Sequence, residues 1–230
     1  AGRRLMPTDE LTLVGKIAVW ALPVIFAITV HEVAHGWVAN KLGDPTAKNL
    51  GRLTLNPVSH VDPIGTLLVP GILLALGGFM FGWAKPVPVN WRNLKRPKQD
   101  MVYVALAGPL ANLLMALLWA GAIKVGFILM GSGGAEAIGQ PLIYMGFAGV
   151  LINVVLMTLN LLPILPLDGG RILAGLLPNA LSLQYAKLER FGFPILVIII
   201  MMGWLSSILG PPVMYIQNEI FSFIGILGEK

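Results

Sequence analysis

The chain has 230 residues, of which 56% are hydrophobic and only 12% are charged, and its mean hydropathy is +0.79. Because soluble domains carry about 25% charged residues, this composition excludes an ordinary soluble protein and predicts several membrane-spanning helices. The net charge of +5 does not indicate a nucleic-acid partner, since membrane proteins collect Lys and Arg on one side of the bilayer and no basic stretch here is interleaved with aromatic residues.

The first predicted helix runs from about residue 11 to 42 and ends at Gly43. Near its far end it carries the sequence HEVAH, which places His31 and His35 one turn apart on the same face. Two imidazoles at this spacing can bind one metal ion, and Glu32 beside them can transfer a proton. The alternative is a hydrogen-bonded histidine pair at a helix end, but ionisable residues within membrane segments are costly and usually functional.

The region after this helix contains two extended segments. The sequence GRLTLN within 43–62 alternates as a short strand does, and WAKPVPVNW at 83–91 predicts an irregular or edge strand. Between them, 63–82 is an apolar run that is rich in Gly and contains Pro70. This composition favours a re-entrant membrane segment. The two extended segments that flank it predict a small β element near the HEVAH motif.

Four further apolar stretches follow, at 101–130, 141–162, 191–209 and 213–227. The chain is therefore predicted to be an all-α polytopic membrane protein with about 4–6 membrane helices. We expect a single intramembrane domain over residues 1–230, with a core of about 11–176 and C-terminal helices in about 191–227.

A catalytic zinc site takes three protein ligands and leaves one position open for water. Because the chain has no cysteine, the third ligand has to be His60 or a carboxylate. Asp168 is the favoured carboxylate, since it follows the proline-broken stretch NLLPILPL, and irregular backbone at membrane depth occurs where protein or a wet cavity surrounds it. A carboxylate held there without a partner would be costly, and a metal ion is a suitable partner.

The apolar stretches at 101–130 and 141–162 contain three asparagines. Asn160 shares a helix face with Asn153, and it either forms interhelical hydrogen bonds or donates to a scissile carbonyl as negative charge develops. The spacing does not choose between these two roles. Asn112 and His60 are interpreted as structural, the first as a packing hydrogen bond and the second as a loop cap.

The motifs HEVAH, AGPLAN and NLLPILPLDGG occur in this order and together resemble the site-2 protease family of intramembrane zinc metalloproteases. The stretches LGRLTLNPVSHVDPIGTLLVP and FGWAKPVPVN resemble its compact bacterial and archaeal members, which lack PDZ and CBS domains. The resemblance covers roughly residues 25–175.

This resemblance implies one zinc ion on His31, His35 and Asp168, with Glu32 as general base. It also implies that Asn160 helps to position the substrate. The expected substrates are transmembrane helices of other membrane proteins, cut in the lipid bilayer during regulated intramembrane proteolysis.

The metal site also constrains the topology, because the HEVAH motif and Asp168 have to reach the same side of the membrane. An even number of crossings must separate them, which is met if 63–82 re-enters instead of spanning. Eleven positive residues then lie on the motif side, namely Lys41, Lys48, Arg52, Lys85, Arg92, Lys95, Arg96, Lys98, Arg171, Lys187 and Arg190. Arg3, Arg4, Lys16 and Lys124 lie opposite, so the active site is expected to face the cytoplasm of a multi-pass cell-membrane protein.

Two alternatives remain. One is a membrane-embedded HExxH protease of the prenyl-protein endopeptidase type, which takes its third ligand from a Glu. The other is a non-catalytic zinc-binding membrane scaffold or carrier. Glu32 argues against the second, because a carrier has no need of a general base beside its histidines.

Overall fold

A computed structural model describes residues 12–62, 65, 85–131 and 136–226. The α-helices in these ranges are α1 Leu13–Lys41, α2 Thr46–Asn49, α3 Pro97–Gly131, α4 Glu136–Asn160, α5 Asp168–Leu176, α6 Asn179–Ala186, α7 Glu189–Met201 and α8 Trp204–Phe223. Short 3-10 helices cover Pro57–His60 and Trp91–Asn93. The predicted all-α class is confirmed.

Three helices, α1, α3 and α4, are long and apolar enough to cross a membrane. They contain 29, 35 and 25 residues, which corresponds to lengths of about 38 to 52 Å, against a hydrocarbon core about 30 Å thick. Helices α7 and α8 qualify as a fourth span if the bent pair is counted as one. The predicted segment 63–82 lies outside the described residues except for Gly65.

The C-terminal helices differ from the prediction. We expected a span over 191–209 and a new stretch after Pro211-Pro212, but the break lies at Met202 and Gly203, and the two helices meet at 87°. Gly203 has a φ of 71°, a left-handed conformation that commonly ends a helix. The two prolines lie inside α8.

A buried apolar cluster joins α3, α4 and α8. Ile123 on α3 and Val150 on α4 have no exposed surface, and the Phe147 and Phe221 rings meet edge to face with centroids 5.4 Å apart. Burial of such side chains stabilises the helix contacts mainly through close packing, since lipid is as apolar as the core.

Glycines bring the backbones of α3 and α4 unusually close together. A Cβ atom on Gly126 would lie 2.9 Å from the carbonyl oxygen of Gly139, and a Cβ atom on Gly139 would lie 2.9 Å from the carbonyl oxygen of Gly126. Side chains larger than hydrogen therefore do not fit at this point, which we call the α3–α4 seam.

The predicted small β element is not formed in the residues that the structure describes. Residues 52–56 and 85–90 have no regular secondary structure, although the Arg52 Nη2 atom donates to the Lys85 carbonyl at 3.0 Å. Pro86 and Pro88 have no N–H group, so this segment cannot supply a regular ladder of backbone donors.

Asp44 fastens the end of α1 to the segment that precedes α3. Its buried carboxylate accepts hydrogen bonds from the Asn90 backbone N–H at 2.6 Å, the Asn93 side-chain amide at 2.9 Å, and both the backbone N–H and the hydroxyl of Thr46. Burial alone would raise the pKa of Asp44, but these hydrogen bonds outweigh it and hold the pKa below its usual value.

Candidate metal centre

The two histidines of HEVAH point the same way from α1, as their spacing predicts. His31 and His35 are both buried, their rings meet edge to face with centroids 4.6 Å apart, and their Nε2 atoms are 3.0 Å apart. Helix α1 is continuous here although Pro23 lies eight residues before His31, about two turns earlier, so the i, i+4 register that sets this geometry is preserved.

Asp168 approaches the same point from a distant part of the chain. Helix α4 ends at Asn160, the loop that follows contains Pro163 and Pro166, and Asp168 is the first residue of α5. The Tyr185 hydroxyl donates to the Pro163 carbonyl at 2.8 Å, which satisfies one backbone group of this loop. The loop that leads to Asp168 is thus tied to α6 by this hydrogen bond.

The three side chains converge on one point. The Asp168 Oδ2 atom lies 3.3 Å from the Nε2 atom of His31 and 3.3 Å from the Nε2 atom of His35. Ligand atoms that are 2.0–2.2 Å from a tetrahedral zinc ion are about 3.3–3.6 Å from one another. The observed distances of 3.0 to 3.3 Å are close to this range, so the group could hold one metal ion.

The protonation of the two rings supports a cation at this point. The His35 Nδ1 atom is 2.7 Å from the Val104 carbonyl oxygen, and the His31 Nδ1 atom is 2.6 Å from the Asn112 Oδ1 atom. Both oxygens only accept hydrogen bonds, so each neutral ring carries its proton on Nδ1 and presents an Nε2 lone pair. Two lone pairs then face the buried Asp168 Oδ2 atom, which has no hydrogen-bond partner of its own.

Glu32 faces a different neighbour. Its Oε2 atom accepts a hydrogen bond of 2.7 Å from the backbone N–H of Val87. The side chain is only partly buried, unlike the two histidines. One carboxylate oxygen is thus fixed by the extended segment 85–90, next to His31 in the chain.

Gly108, in the AGPLAN motif, is a site residue that the sequence interpretation did not single out. A methyl group on it would collide with the His35 Nε2 atom and lie 2.5 Å from the His31 Cε1 atom. The signal was available, because a glycine is costly inside a long helix unless something approaches closely. Here the closely approaching groups are the two imidazole rings.

The other predicted residues lie outside this group of three. The Asn160 side chain is partly buried and donates to the Leu156 carbonyl of its own helix at 3.0 Å. The His60 ring is buried, and its Nε2 atom is 2.9 Å from the Thr54 carbonyl oxygen, which agrees with a loop-capping role. Asn112 and Asn153 are hydrogen bonded to each other between α3 and α4.

Comparison with known proteins agrees with this geometry. Residues 124–203, which include Asp168, match the model of peptidase family M50. The chain is 39% identical over 196 residues to the provisionally named zinc metalloprotease YwhC of Bacillus subtilis, covering 83% of each protein. It is 30% identical over 197 residues to the provisionally named zinc metalloprotease Rip2 of Mycolicibacterium smegmatis, covering 84% of this chain and 71% of that protein.

A Rip2 protein of Mycobacterium tuberculosis is 27% identical over 217 residues, which are 90% of this chain and 76% of that protein. No solved structure matches the chain. The identity to YwhC and the shared length show the family, and the described helices show the membrane-embedded class. The chain therefore belongs to peptidase family M50, the site-2 protease family, and is a multi-pass membrane metalloendopeptidase of that type.

Proposed function

We propose that this chain is an intramembrane zinc endopeptidase, which hydrolyses peptide bonds within or next to transmembrane segments of other membrane proteins. We further propose that one zinc ion per chain is held by His31, His35 and Asp168. The observation that carries this proposal is the convergence of two Nε2 lone pairs and one carboxylate oxygen within 3.3 Å of each other in a buried position.

Bound zinc would polarise the scissile carbonyl and lower the pKa of a water molecule toward neutrality. Glu32 would accept the proton of that water and later deliver it to the leaving amine. The Val87 N–H group holds one Glu32 oxygen at 2.7 Å, which leaves the other oxygen for the water. The negative charge of Asp168 would offset part of the positive charge of such an ion, which neutral imidazoles cannot do.

Asn160 is proposed to hold the substrate, as a donor to the scissile carbonyl. It ends α4, eight residues before Asp168, the first residue of α5, so it flanks the loop that leads to Asp168. Its own hydrogen bond, to Leu156 of α4, is a weak neutral bond that a substrate carbonyl can replace.

The substrate segment has to be unwound before attack, because a helix hides its carbonyl groups in internal hydrogen bonds. The extended segments 52–56 and 85–90 lie next to α1 and could hold such a chain by backbone hydrogen bonds. The active site is proposed to face the cytoplasm, since most of the positive residues lie on the side of the motif in this topology.

The test of this function uses purified full-length chain in proteoliposomes with a panel of model transmembrane substrates. Glu32→Gln should lose at least about 100-fold in cleavage rate and still bind one zinc ion, whereas Asp168→Ala should lose the metal. Full activity of Glu32→Gln would refute the assigned base. Zinc binding by the wild type without cleavage of any substrate would favour a non-catalytic zinc scaffold or carrier.

The orientation of the protein in the membrane can be tested by cysteine labelling. The sequence contains no cysteine, so each introduced cysteine is the only reactive thiol. Single cysteines at Asn49, after α1, and at Glu136, at the start of α4, should react from opposite sides of the membrane. Labelling of Asn49→Cys from outside the cell would overturn the cytoplasmic placement.

A further inference from the structure

Two asparagines are completely buried between α1, α3 and α4. Asn112 and Asn153 both have 0% exposed surface, and a buried amide is costly unless its donors and acceptors are paired. Their hydrogen bonds form one continuous chain that ends on the imidazole of His31. Such a chain is expected to have a function beyond packing, because apolar residues would fill the same space at lower cost.

The direction of this chain is fixed by backbone carbonyls. The Asn153 Nδ2 atom donates to the Gly149 carbonyl at 2.9 Å, so its Oδ1 atom faces Asn112 and accepts from the Asn112 Nδ2 atom at 2.9 Å. The Asn112 Nδ2 atom also donates to the Ala27 carbonyl at 3.1 Å. Because carbonyl groups cannot donate, neither amide can flip without losing hydrogen bonds.

These hydrogen bonds determine which ring nitrogen of His31 carries the proton. With both Nδ2 protons directed at acceptors, Asn112 presents its Oδ1 atom to His31, and the His31 Nδ1 atom at 2.6 Å has to be the donor. The His31 Nε2 atom is then free of a proton and faces His35 and Asp168. His35 is held in the same state by the Val104 carbonyl, a backbone group that substitution does not remove.

We propose that Asn112 is a positioning residue, which fixes the tautomer and orientation of His31 for metal binding, and that Asn153 fixes Asn112 in turn. This inference rests on the proposed metal centre. One metal-binding histidine thus depends on a backbone group, while the other depends on a side-chain relay that crosses from α4 through α3 to α1. Partners that orient metal ligands in this way typically contribute a factor of 10 to 100 in metal affinity.

The acceptor and donor roles of Asn112 can be separated by two variants. Asn112→Asp keeps an oxygen for the His31 Nδ1–H group but loses the donors to Ala27 and Asn153. Asn112→Leu has a similar volume and loses both roles. Zinc affinity should therefore be kept in Asn112→Asp and fall about 10- to 100-fold in Asn112→Leu, while both variants should have a lower melting temperature than the wild type.

The experiment measures the zinc dissociation constant of the purified full-length chain by competition with a chelator, together with its melting temperature without metal. Thr158→Val is the matched control, because it removes a partly buried side-chain hydrogen bond to Val154 within α4 that does not reach the site. Its zinc affinity should equal that of the wild type.

Wild-type affinity in Asn112→Leu would overturn the proposal, and so would losses of affinity that simply follow the losses of stability in both Asn112 variants. Asp168→Ala distinguishes a failure of the proposed metal centre from a failure of the positioning role of Asn112. If it loses zinc while Asn112→Leu does not, the metal centre stands and the positioning role is wrong. If Asp168→Ala binds zinc as the wild type does, the proposed centre is wrong and the positioning role falls with it.

A measurement on the wild type does not depend on whether any variant folds. In a sample labelled with ¹⁵N-histidine and loaded with zinc, the His31 Nδ1 signal should carry a proton, and the Nε2 signal should have the shift of a metal-bound nitrogen. Zinc on the Nδ1 atom of His31 would contradict the relay.

Discussion

The carboxylate of Glu32 and the backbone N–H group of Val87 form a 2.7 Å hydrogen bond across 55 residues of sequence. Val87 lies between Pro86 and Pro88, which have no N–H group, so it is the only donor among these three residues. Segment 85–90 therefore docks on α1 through the side chain proposed to be the general base. This one hydrogen bond therefore influences both the orientation of Glu32 and the position of segment 85–90.

Val87→Pro should test this contact directly, because it removes the N–H group while proline remains compatible with an extended segment. A hydrogen bond to a charged group contributes about 1.5–3 kcal/mol, so we expect kcat to fall by roughly 10- to 100-fold with zinc content unchanged. Val87→Ala is the matched control, since it keeps the N–H group and loses most of the side chain. Equal activity of the two variants would show that the N–H group is not needed.

Gly108→Ala should abolish metal binding, because the added methyl group would occupy the space of the imidazole rings. Zinc per chain, measured by elemental analysis after purification, should fall well below that of the wild type. Gly121→Ala is the control on the same helix, where no atom lies within 4 Å of the added Cβ position. It should keep its zinc and be neutral or more stable by up to about 1 kcal/mol, and zinc loss in both variants would contradict a site-specific effect.

Asp44 should make the protein sensitive to acid. Its pKa is lowered in the folded state, so its contribution to stability is complete above the usual carboxyl pKa near 4 and is lost as the pH falls through the lowered value. Asp44→Asn should cost roughly 1–3 kcal/mol at neutral pH, since charged hydrogen bonds are replaced by neutral ones in a buried position. The difference in melting temperature between wild type and variant should shrink below about pH 4, and a difference that grows in acid would have the wrong sign.

Metal removal should lower the stability of the fold, because two Nε2 lone pairs and the Asp168 carboxylate then face each other without a cation. A ligand present at 100 times its dissociation constant stabilises the folded state by about 2.7 kcal/mol. Zinc should therefore raise the melting temperature of the chelator-treated wild type. It should leave Asp168→Ala unchanged, and an equal rise in both would place the stabilising ion elsewhere.

Much of the candidate site follows from local sequence rules. The helix predicted over residues 11–42 is Leu13–Lys41 in the structure, and the i, i+4 rule places His31 and His35 on one face of it. Asp168 could be chosen because a carboxylate in a proline-broken apolar stretch is costly without a partner. The first inference needs only the spacing of two residues in a helix. The second needs only the free-energy cost of a carboxylate in an apolar segment, and both can be read from the sequence.

The remaining features depend on distances between elements, which local patterns do not contain. Gly108 is required because α3 approaches the histidine rings closely. The orientation of the Asn112 amide depends on its hydrogen-bond partners on α1 and α4. The break at Gly203 was missed because Pro211 and Pro212 are the stronger local signal, yet they are accommodated inside α8. The small β element was wrong in the described residues, since an extended pattern does not ensure a partner strand.

The α3–α4 seam has a consequence for how a substrate reaches the site. At Gly126 and Gly139 the two backbones leave no room even for a methyl group, while a transmembrane helix with its side chains is about 10 Å wide. Separation of these two helices would break this close backbone contact, so we expect them to stay together. For the transmembrane substrates proposed above, we therefore expect entry from the lipid between other elements of the protein.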